Sequence, residues 1–452
     1  MRFFLLFTVL VTSCATRYHL AGEYLEKVKS SPLAHDSKQT TILFLVDGLS
    51  YSIVEERLKK NKLPNIKDYF LVRNRPLQKA HSVFPTLTFT NISSLLHEQP
   101  VHLTGAIGNK IITNNRLVDF ENVSDRTQFS ATMRGNTIFS RLNGKGFNTV
   151  SLDYGLGVDA SVSSNFDFQS GYAASQLDYT YLDRKKIDGL KILLTEANQN
   201  QWPEFIFIHL VGVDFLSHRY GPRSEQVNFY LAQLDRQLKS LFELLRRKEK
   251  VHQIISLLTA DHGFNLQKHH FVNIESKIKR LDTTMRIVNE GRHAAVYYID
   301  RPSDSKLLID SAHLLNQKGV EIVATRSGMR LWINSKKTGF YIDYLKGGDC
   351  GYGALLVSVN GREIYCSNAL PQDIDRNFYP FFVENLISYF QAAKAPDLLV
   401  VPESDVIFSR NGTGFHGGPT EDETIVPLLT RNLNDRTPSS GPAIWQLLSF
   451  IK

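Results

Sequence analysis

The chain has 452 residues, with 52 Lys and Arg against 45 Asp and Glu, for a formal net charge of +7. Charged residues make up 21% and hydrophobic residues 42%, which excludes charge-driven disorder and low-complexity sequence for the bulk of the chain. Three cysteines are too few for a disulfide scaffold, and a chain of this length buries a sufficient core without one.

The N-terminus reads MRFFLLFTVLVTSCATRY. One basic residue, Arg2, precedes a short apolar run from Phe3 to Val11, about half the ~20 residues needed to span a bilayer. This predicts a signal peptide over 1–14 and therefore export. Val11-Thr12-Ser13-Cys14 has the pattern of a bacterial lipobox, in which Cys14 becomes a lipidated N-terminus anchored to the cell envelope. The competing reading is simple cleavage after Ala15. Residues 15–39 are polar and irregular and read as a tether.

TTILFLVDG then forms an apolar run ending at Asp47, the pattern of a buried parallel strand. Amphipathic helical stretches follow at SIVEERLKK and NISSLLHE. The alternation continues with the strand NTVSLDYG, a helix near 185–198, the strand EFIFIHLVGVD, a long amphipathic helix SEQVNFYLAQLDRQLKSLFELLRRK and the strand HQIISLLTADHG. Strands alternating with helices predict an α/β fold, doubly wound, with a mostly parallel central sheet and helices on both faces. Ligands bind beyond the carboxyl ends of such strands, where Asp47, Asp214, Asp261 and His262 fall. From 265 to 410 the texture shifts to short β-like runs, read as a continuation of the core with an inserted α+β, cap-like subdomain. Within it Cys350 and Cys366 flank a strand, an Asn-Gly turn and a strand. They are either a disulfide across this hairpin or two free thiols. RNGTGFHGGP at 410–419 returns to Gly- and His-rich loop chemistry, and AIWQLLSFIK reads as a closing helix. The core is thus expected over 40–264 and 411–452.

Four clusters carry metal-ligating residue types: Asp47; Asp214 and His218 at i, i+4 on one helix face; Asp261-His262; and His416. Aspartate oxygens and histidine nitrogens suit zinc-like ions. Each cluster alone is a weak signal: a strand-end Asp is more often a cap, Asp-His-Gly is more often a turn, and Asp214/His218 is an ordinary exposed pair as often as a ligand pair. A fifth element, FPTLTFTN, places Thr88 before an apolar helix, where a hydroxyl is either an N-cap or a nucleophile facing a bound anion. Threonine needs a base or a metal to act as a nucleophile. His209 reads as a satisfied core histidine, His102 as a loop hydrogen-bonder and His269-His270 as a surface pair. Tyr154 and Phe89 either flank a leaving group or pack in the core or at its rim. No nucleic-acid-binding module is present in the sequence, and the net charge mildly favours small anionic substrates.

FLVDG, FPTLTFTN, DFLSH, ADHG and GFHGG, in this order, resemble the alkaline phosphatase superfamily, and specifically its type I phosphodiesterase/nucleotide pyrophosphatase branch, over roughly residues 40–420. HLTGAIGNK resembles the loop that follows the nucleophile helix in that family. The resemblance implies a site for two divalent ions, usually zinc. Asp214, His218 and His416 would hold one ion. Asp47, Asp261, His262 and the Thr88 oxygen would hold the other, and Asn91 would hydrogen-bond a phosphoryl oxygen. Leu87 and Thr90 stand where close relatives often have Lys and Pro. The implied activity is hydrolysis of a phosphodiester or pyrophosphate bond through a phospho-threonine. The alternatives are a phosphomonoesterase, a phosphonate hydrolase, an envelope phosphoryl-headgroup transferase or an inactive envelope binding protein.

Overall fold

The computed structural model describes residues 22–27 and 39–451, except 73–74, 114–115, 123–124, 126–127, 129–132, 154, 158, 165–167, 199–200, 337, 347–349, 351–353, 371–378, 411 and 434–440. Cys14, Tyr154 and most of the expected tether lie outside the described residues. Residues 22–27 are helical rather than irregular. Tyr24 is buried in the main core and its hydroxyl donates to the Gln201 carbonyl at 2.6 Å.

A seven-stranded sheet organises the molecule, in the order Gln78–His81, Ile425–Arg431, Gln253–Thr259, Gln39–Val46, Phe205–Leu210, Thr149–Leu152, Val162–Ser163. The Gln39–Val46 strand pairs in parallel with both neighbours, Val46 opposite Leu210 and Leu45 opposite Thr259. Its side chains are buried on both faces from Thr40 to Val46, as a central parallel strand requires. The Ile425–Arg431 strand runs antiparallel between Gln253–Thr259 and the edge strand Gln78–His81. The parallel strands therefore end together, and Asp47, Asp214 and Asp261 follow them on one side.

Helices cover the sheet because their apolar residues recur at helical spacing. The Glu225–Lys248 helix buries Val227, Leu231, Leu234, Leu238, Leu241 and Leu245 in one stripe. Ser224 caps it by accepting from the Val227 N–H, and Arg246, Arg247 and Lys248 close its last turn, where cations suit the helix dipole. The basic cluster seen in the sequence is this helix end.

The inserted subdomain is an eight-stranded antiparallel sheet running from Arg286–Asn289 at one edge to Glu363–Cys366 at the other. Its central strand Leu398–Pro402 is apolar throughout because both faces are covered. Leu399 and Val401 join the main core, whereas Leu398 and Val400 join a second cluster with Ile278, Leu307 and Leu314. Cys350 and Cys366 form a disulfide, with Cα atoms 5.6 Å apart. The tail departs from the sequence reading: only Ile444–Gln446 is helical, as a 3-10 turn. Ile444, Leu447, Leu448 and Ile451 are all buried, so tertiary packing on several sides replaces the one-sided burial of a surface helix. No helix among the described residues is long and apolar enough to cross a membrane.

Candidate metal centre

Each site residue stands where an element ends. Asp47 follows the central strand, its N–H donating to the Leu210 carbonyl at 2.9 Å. Gly48 then turns the chain with φ +73°, and a Cβ there would come within 2.6 Å of the Phe264 ring and 3.1 Å of the Asp214 Cα. Only glycine fits this crossing. The Gly48 N–H donates to Asp261 Oδ1 at 3.2 Å, which joins two strand ends. Asp214 and His218 sit on the Gly212–Tyr220 helix, with His218 Nε2 3.5 Å from Asp214 Oδ1. His416 arrives on the 412–420 loop, pinned where Thr86 Oγ1 donates to the Gly418 carbonyl at 2.7 Å and accepts from Gly417 N–H at 3.0 Å. Thr88 is the part-exposed first residue of the Thr88–His97 helix, and its Oγ1 lies 3.1 Å from His262 Nε2.

The histidines share a pattern. Nδ1 of His218, His262 and His416 faces the carbonyls of Gly414, Gly263 and Thr86 at 3.0, 3.1 and 2.8 Å. A carbonyl only accepts, so each Nδ1 carries the hydrogen and each Nε2 presents a lone pair inward. His218 and His416 point these lone pairs at each other across 2.9 Å, an arrangement that calls for a cation between them.

The carboxylates complement it. Asp47 Oδ2 accepts from His209 Nε2 at 2.8 Å, while Oδ1 is buried with no hydrogen-bond partner. Asp261 uses Oδ1 on Gly48 and leaves Oδ2 bare, and Asp214 Oδ1 is bare as well. Orphaned buried carboxylate oxygens are costly unless a ligand completes them. One atom each of Asp214, His262 and His416 falls within a 4.8 Å cluster, as does one each of Asp47, Asp261 and His262. His262 belongs to both groups. His218, more exposed, lies beside the first. These donors fit divalent cations, with protein hydrogen bonds fixing their orientation as metal ligands require.

Electrostatics agree. Burial, then the charges of Asp261 and Asp214, pushes Asp47 well above the usual carboxylate range. Burial raises Asp214 too, against the opposing pull of His218 and His262. Burial and the neighbouring His262 and His218 push His416 well below the usual imidazole range, which keeps it neutral. Without a cation Asp47 and Asp214 thus resist ionisation, and bound cations would reverse that.

Asn91 is a correction. It is fully buried, and its Oδ1 accepts from Val83 N–H at 2.7 Å. Its Nδ2 faces the carbonyls of Val83, Pro85 and Leu87 at 3.3, 3.1 and 3.0 Å. The amide is spent inside the 83–87 loop, so it braces the approach to Thr88 and does not reach a phosphoryl oxygen. Asn91→Ala is expected to cost about 2–4 kcal/mol of stability, since it strips those groups of their partner and opens a cavity. Thermal unfolding measures this, and an unchanged midpoint would contradict the bracing role.

Asn109 was not singled out from the sequence. It is buried in the HLTGAIGNK loop, its Oδ1 accepts from Phe89 N–H at 3.1 Å and its Nδ2 donates to Glu121 at 3.1 Å. It lies against the start of the Thr88 helix, where Asn91 was expected. The Gly-rich turn around it was the available signal. His209 is a buried, satisfied histidine as expected, and the partner that satisfies its ring is Asp47. His102 does hydrogen-bond, Nδ1 being 3.1 Å from Ser388 Oγ, but from the short Val101–Thr104 helix rather than a loop. His270 is exposed but His269 is partly buried against Phe415. Phe89 is buried beside Phe120.

A mostly parallel α/β sheet whose strand ends converge on aspartates, imidazoles and a helix-initiating threonine defines an enzyme acting on phosphoric esters, by hydrolysis or transfer. The type I phosphodiesterase/nucleotide pyrophosphatase model matches residues 41–351, and the chain belongs to that family, within the alkaline phosphatase superfamily. Its fold is similar to phosphonoacetate hydrolase from Sinorhizobium meliloti 1021 (TM-score 0.60, 17% identity, 91% of this chain and 94% of that one). It is also similar to murine ectonucleotide pyrophosphatase/phosphodiesterase 5 (TM-score 0.56, 13% identity, 86% and 87%). GPI ethanolamine phosphate transferase 2 of Schizosaccharomyces pombe is 29% identical over 113 residues. That match takes in 24% of this chain and 14% of the relative's length.

Proposed function

We propose that the protein is an exported metal-dependent phosphodiesterase or pyrophosphatase that works through a phospho-threonine at Thr88. One observation carries the reading: three imidazole lone pairs and three bare aspartate oxygens converge beside the Thr88 hydroxyl. Asp214, His218 and His416 would hold one divalent ion, and Asp47, Asp261, His262 and Thr88 Oγ1 the other. Zinc suits this imidazole and carboxylate set. When bound, such a pair acidifies a hydroxyl and stabilises attacking and leaving oxygens.

The chain's own part is positioning. Thr88 Oγ1 gives up its proton to solvent and attacks phosphorus in line. The Thr88 O–P bond forms as the bond to the leaving oxygen breaks with its electron pair, and a proton from solvent completes the leaving alcohol. Water then adds to phosphorus, Thr88 leaves and regains a proton, and phosphoryl product departs. Asn109, whose Oδ1 takes the Phe89 N–H at the helix start and whose Nδ2 has a second hydrogen beyond the one given to Glu121, would orient the phosphoryl group. Three aspartates and a threonine alkoxide balance two divalent cations, a neutral site that suits a singly charged diester. An inactive threonine-to-alanine variant of the murine relative in complex with AMP supports a threonine in this role. Cys14 is proposed as the lipidated N-terminus of the mature chain.

A panel of bis-p-nitrophenyl phosphate, p-nitrophenyl phosphate and a p-nitrophenyl phenylphosphonate decides the substrate class. The diester is expected to react at least about tenfold faster than the monoester, a barrier difference of roughly 1.4 kcal/mol. A monoester preference would overturn the charge argument. A second reading, headgroup transfer to an alcohol acceptor, is favoured by the ethanolamine phosphate transferase match. It predicts phosphoryl transfer to glycerol in competition with water.

A further inference from the structure

We propose that Lys186 is a positioning residue that ties the two halves of the metal centre together through one buried ion network. The inference rests on the metal reading above and concerns how the ligands are held.

Lys186 lies on the Tyr179–Glu196 helix, behind the site. It and Asp183 are buried. Its Nζ donates to the backbone carbonyl of His209 and lies 3.3 Å from Asp183 Oδ1. The ring of the same His209 holds Asp47 at 2.8 Å. Asp183 in turn accepts from Val211 N–H at 3.2 Å, Gly212 N–H at 3.0 Å and the Tyr230 hydroxyl at 2.5 Å. Val211 and Gly212 open the helix that carries Asp214 and His218. One ammonium thus fixes the peptide behind Asp47, and its counter-ion fixes the start of the helix behind Asp214.

The packing leaves this arrangement little freedom. A Cβ on Gly212 would come within 2.2 Å of the Tyr230 ring, so the ring lies directly on the helix start. A buried ion pair is a poor device for stability, since well-packed apolar groups of similar volume serve as well or better. It is a good device for fixing direction. Here it sits where a strand end and a helix start diverge to serve different ligands. Asp183 keeps three donors without Lys186, two of them at a helix N-terminus where a carboxylate is favoured. Lys186→Met is therefore expected to fold.

The test measures zinc affinity of the full chain by chelator competition, on metal-free protein shown to be folded by circular dichroism. Outer ligand-orienting partners commonly change metal affinity about 10–100-fold. Lys186→Met is expected to weaken both zinc ions by about tenfold or more, whereas Asp214→Asn, a direct ligand change, weakens one preferentially. Tyr230→Phe removes a single hydrogen bond from Asp183 and is expected to give a smaller loss at both ions; it decides the matter if Lys186→Met does not fold. Affinities within twofold of wild type at both ions, or loss at one ion alone, overturn the proposal. A wild-type chain that binds no zinc overturns the metal reading itself, an outcome distinct from two tightly bound ions that are indifferent to Lys186.

Discussion

Thr88→Ala is expected to reduce turnover by about 10⁴-fold or more, the scale on which loss of a nucleophile acts, while leaving the fold intact. The two halves of this expectation have separate grounds. The hydroxyl oxygen lies 3.1 Å from His262 Nε2, the imidazole that belongs to both candidate ligand groups. The structural half follows from the helix start. Leu87 occupies the cap position, no side chain caps the helix there, and Thr88 is only partly buried. Removing its hydroxyl and methyl therefore leaves the backbone held by Asn91 and Asn109. Steady-state kinetics on the diester, with circular dichroism and zinc content as controls, measures both halves. Substantial residual turnover in a folded, zinc-loaded variant would end the covalent mechanism. A variant that also loses zinc would instead place the Thr88 oxygen chiefly among the ligands.

Metal removal is expected to abolish activity and to change the pH dependence of stability in a definite direction. In the metal-free chain Asp47 and Asp214 hold protons more tightly than ordinary carboxylates, through burial and their acidic or charged neighbours. Their folded-state pKa values lie above the unfolded value of about 4. Their contribution to stability is therefore complete below about pH 4 and is lost as pH rises through the raised folded values. Bound cations need the ionised carboxylates, so metal affinity climbs over the same interval. His416, already neutral, has no proton to release. The difference in unfolding midpoint between metal-loaded and metal-free protein should be small near pH 5 and large near pH 8. At free metal a thousandfold above Kd, each ion contributes about 4 kcal/mol. Differential scanning fluorimetry across that range reads the effect. A metal-induced shift of equal size at pH 5 and pH 8 would argue against proton displacement from these aspartates.

Much of this was legible in the sequence for a physical reason. Central parallel strands are covered on both faces, so they appear as unbroken apolar runs, and the first polar residue after each run marks the end where ligands bind. Asp47 and Asp261 were found in this way, and Asp214 with His218 by helical spacing. What was not legible depends on the third dimension. Asn91 is one turn from Thr88, but its amide faces backward into the 83–87 loop, and spacing alone does not give that sense. Asn109 reaches the Thr88 helix across a loop and two helices. His209 lies within a strand buried on both faces, where alternation carries no signal of which side chain meets Asp47. The tail reads as helix because its apolar residues allow one, whereas burial on several sides selected a 3-10 turn.

The Ile425–Arg431 strand has one further consequence. It is inserted between Gln253–Thr259 and the edge strand Gln78–His81, and the loop just before it brings His416. During synthesis the strand that leads toward Thr88 therefore waits without any strand partner, and the strand that delivers Asp261 waits unpaired on one side, until this later segment is made. Thr88 is brought beside His416 only once the segment that carries residues 412–431 has been made. Assembly of the centre thus waits on the segment that follows residue 411, and a chain cut before residue 416 carries most of the candidate ligands without the loop that completes them.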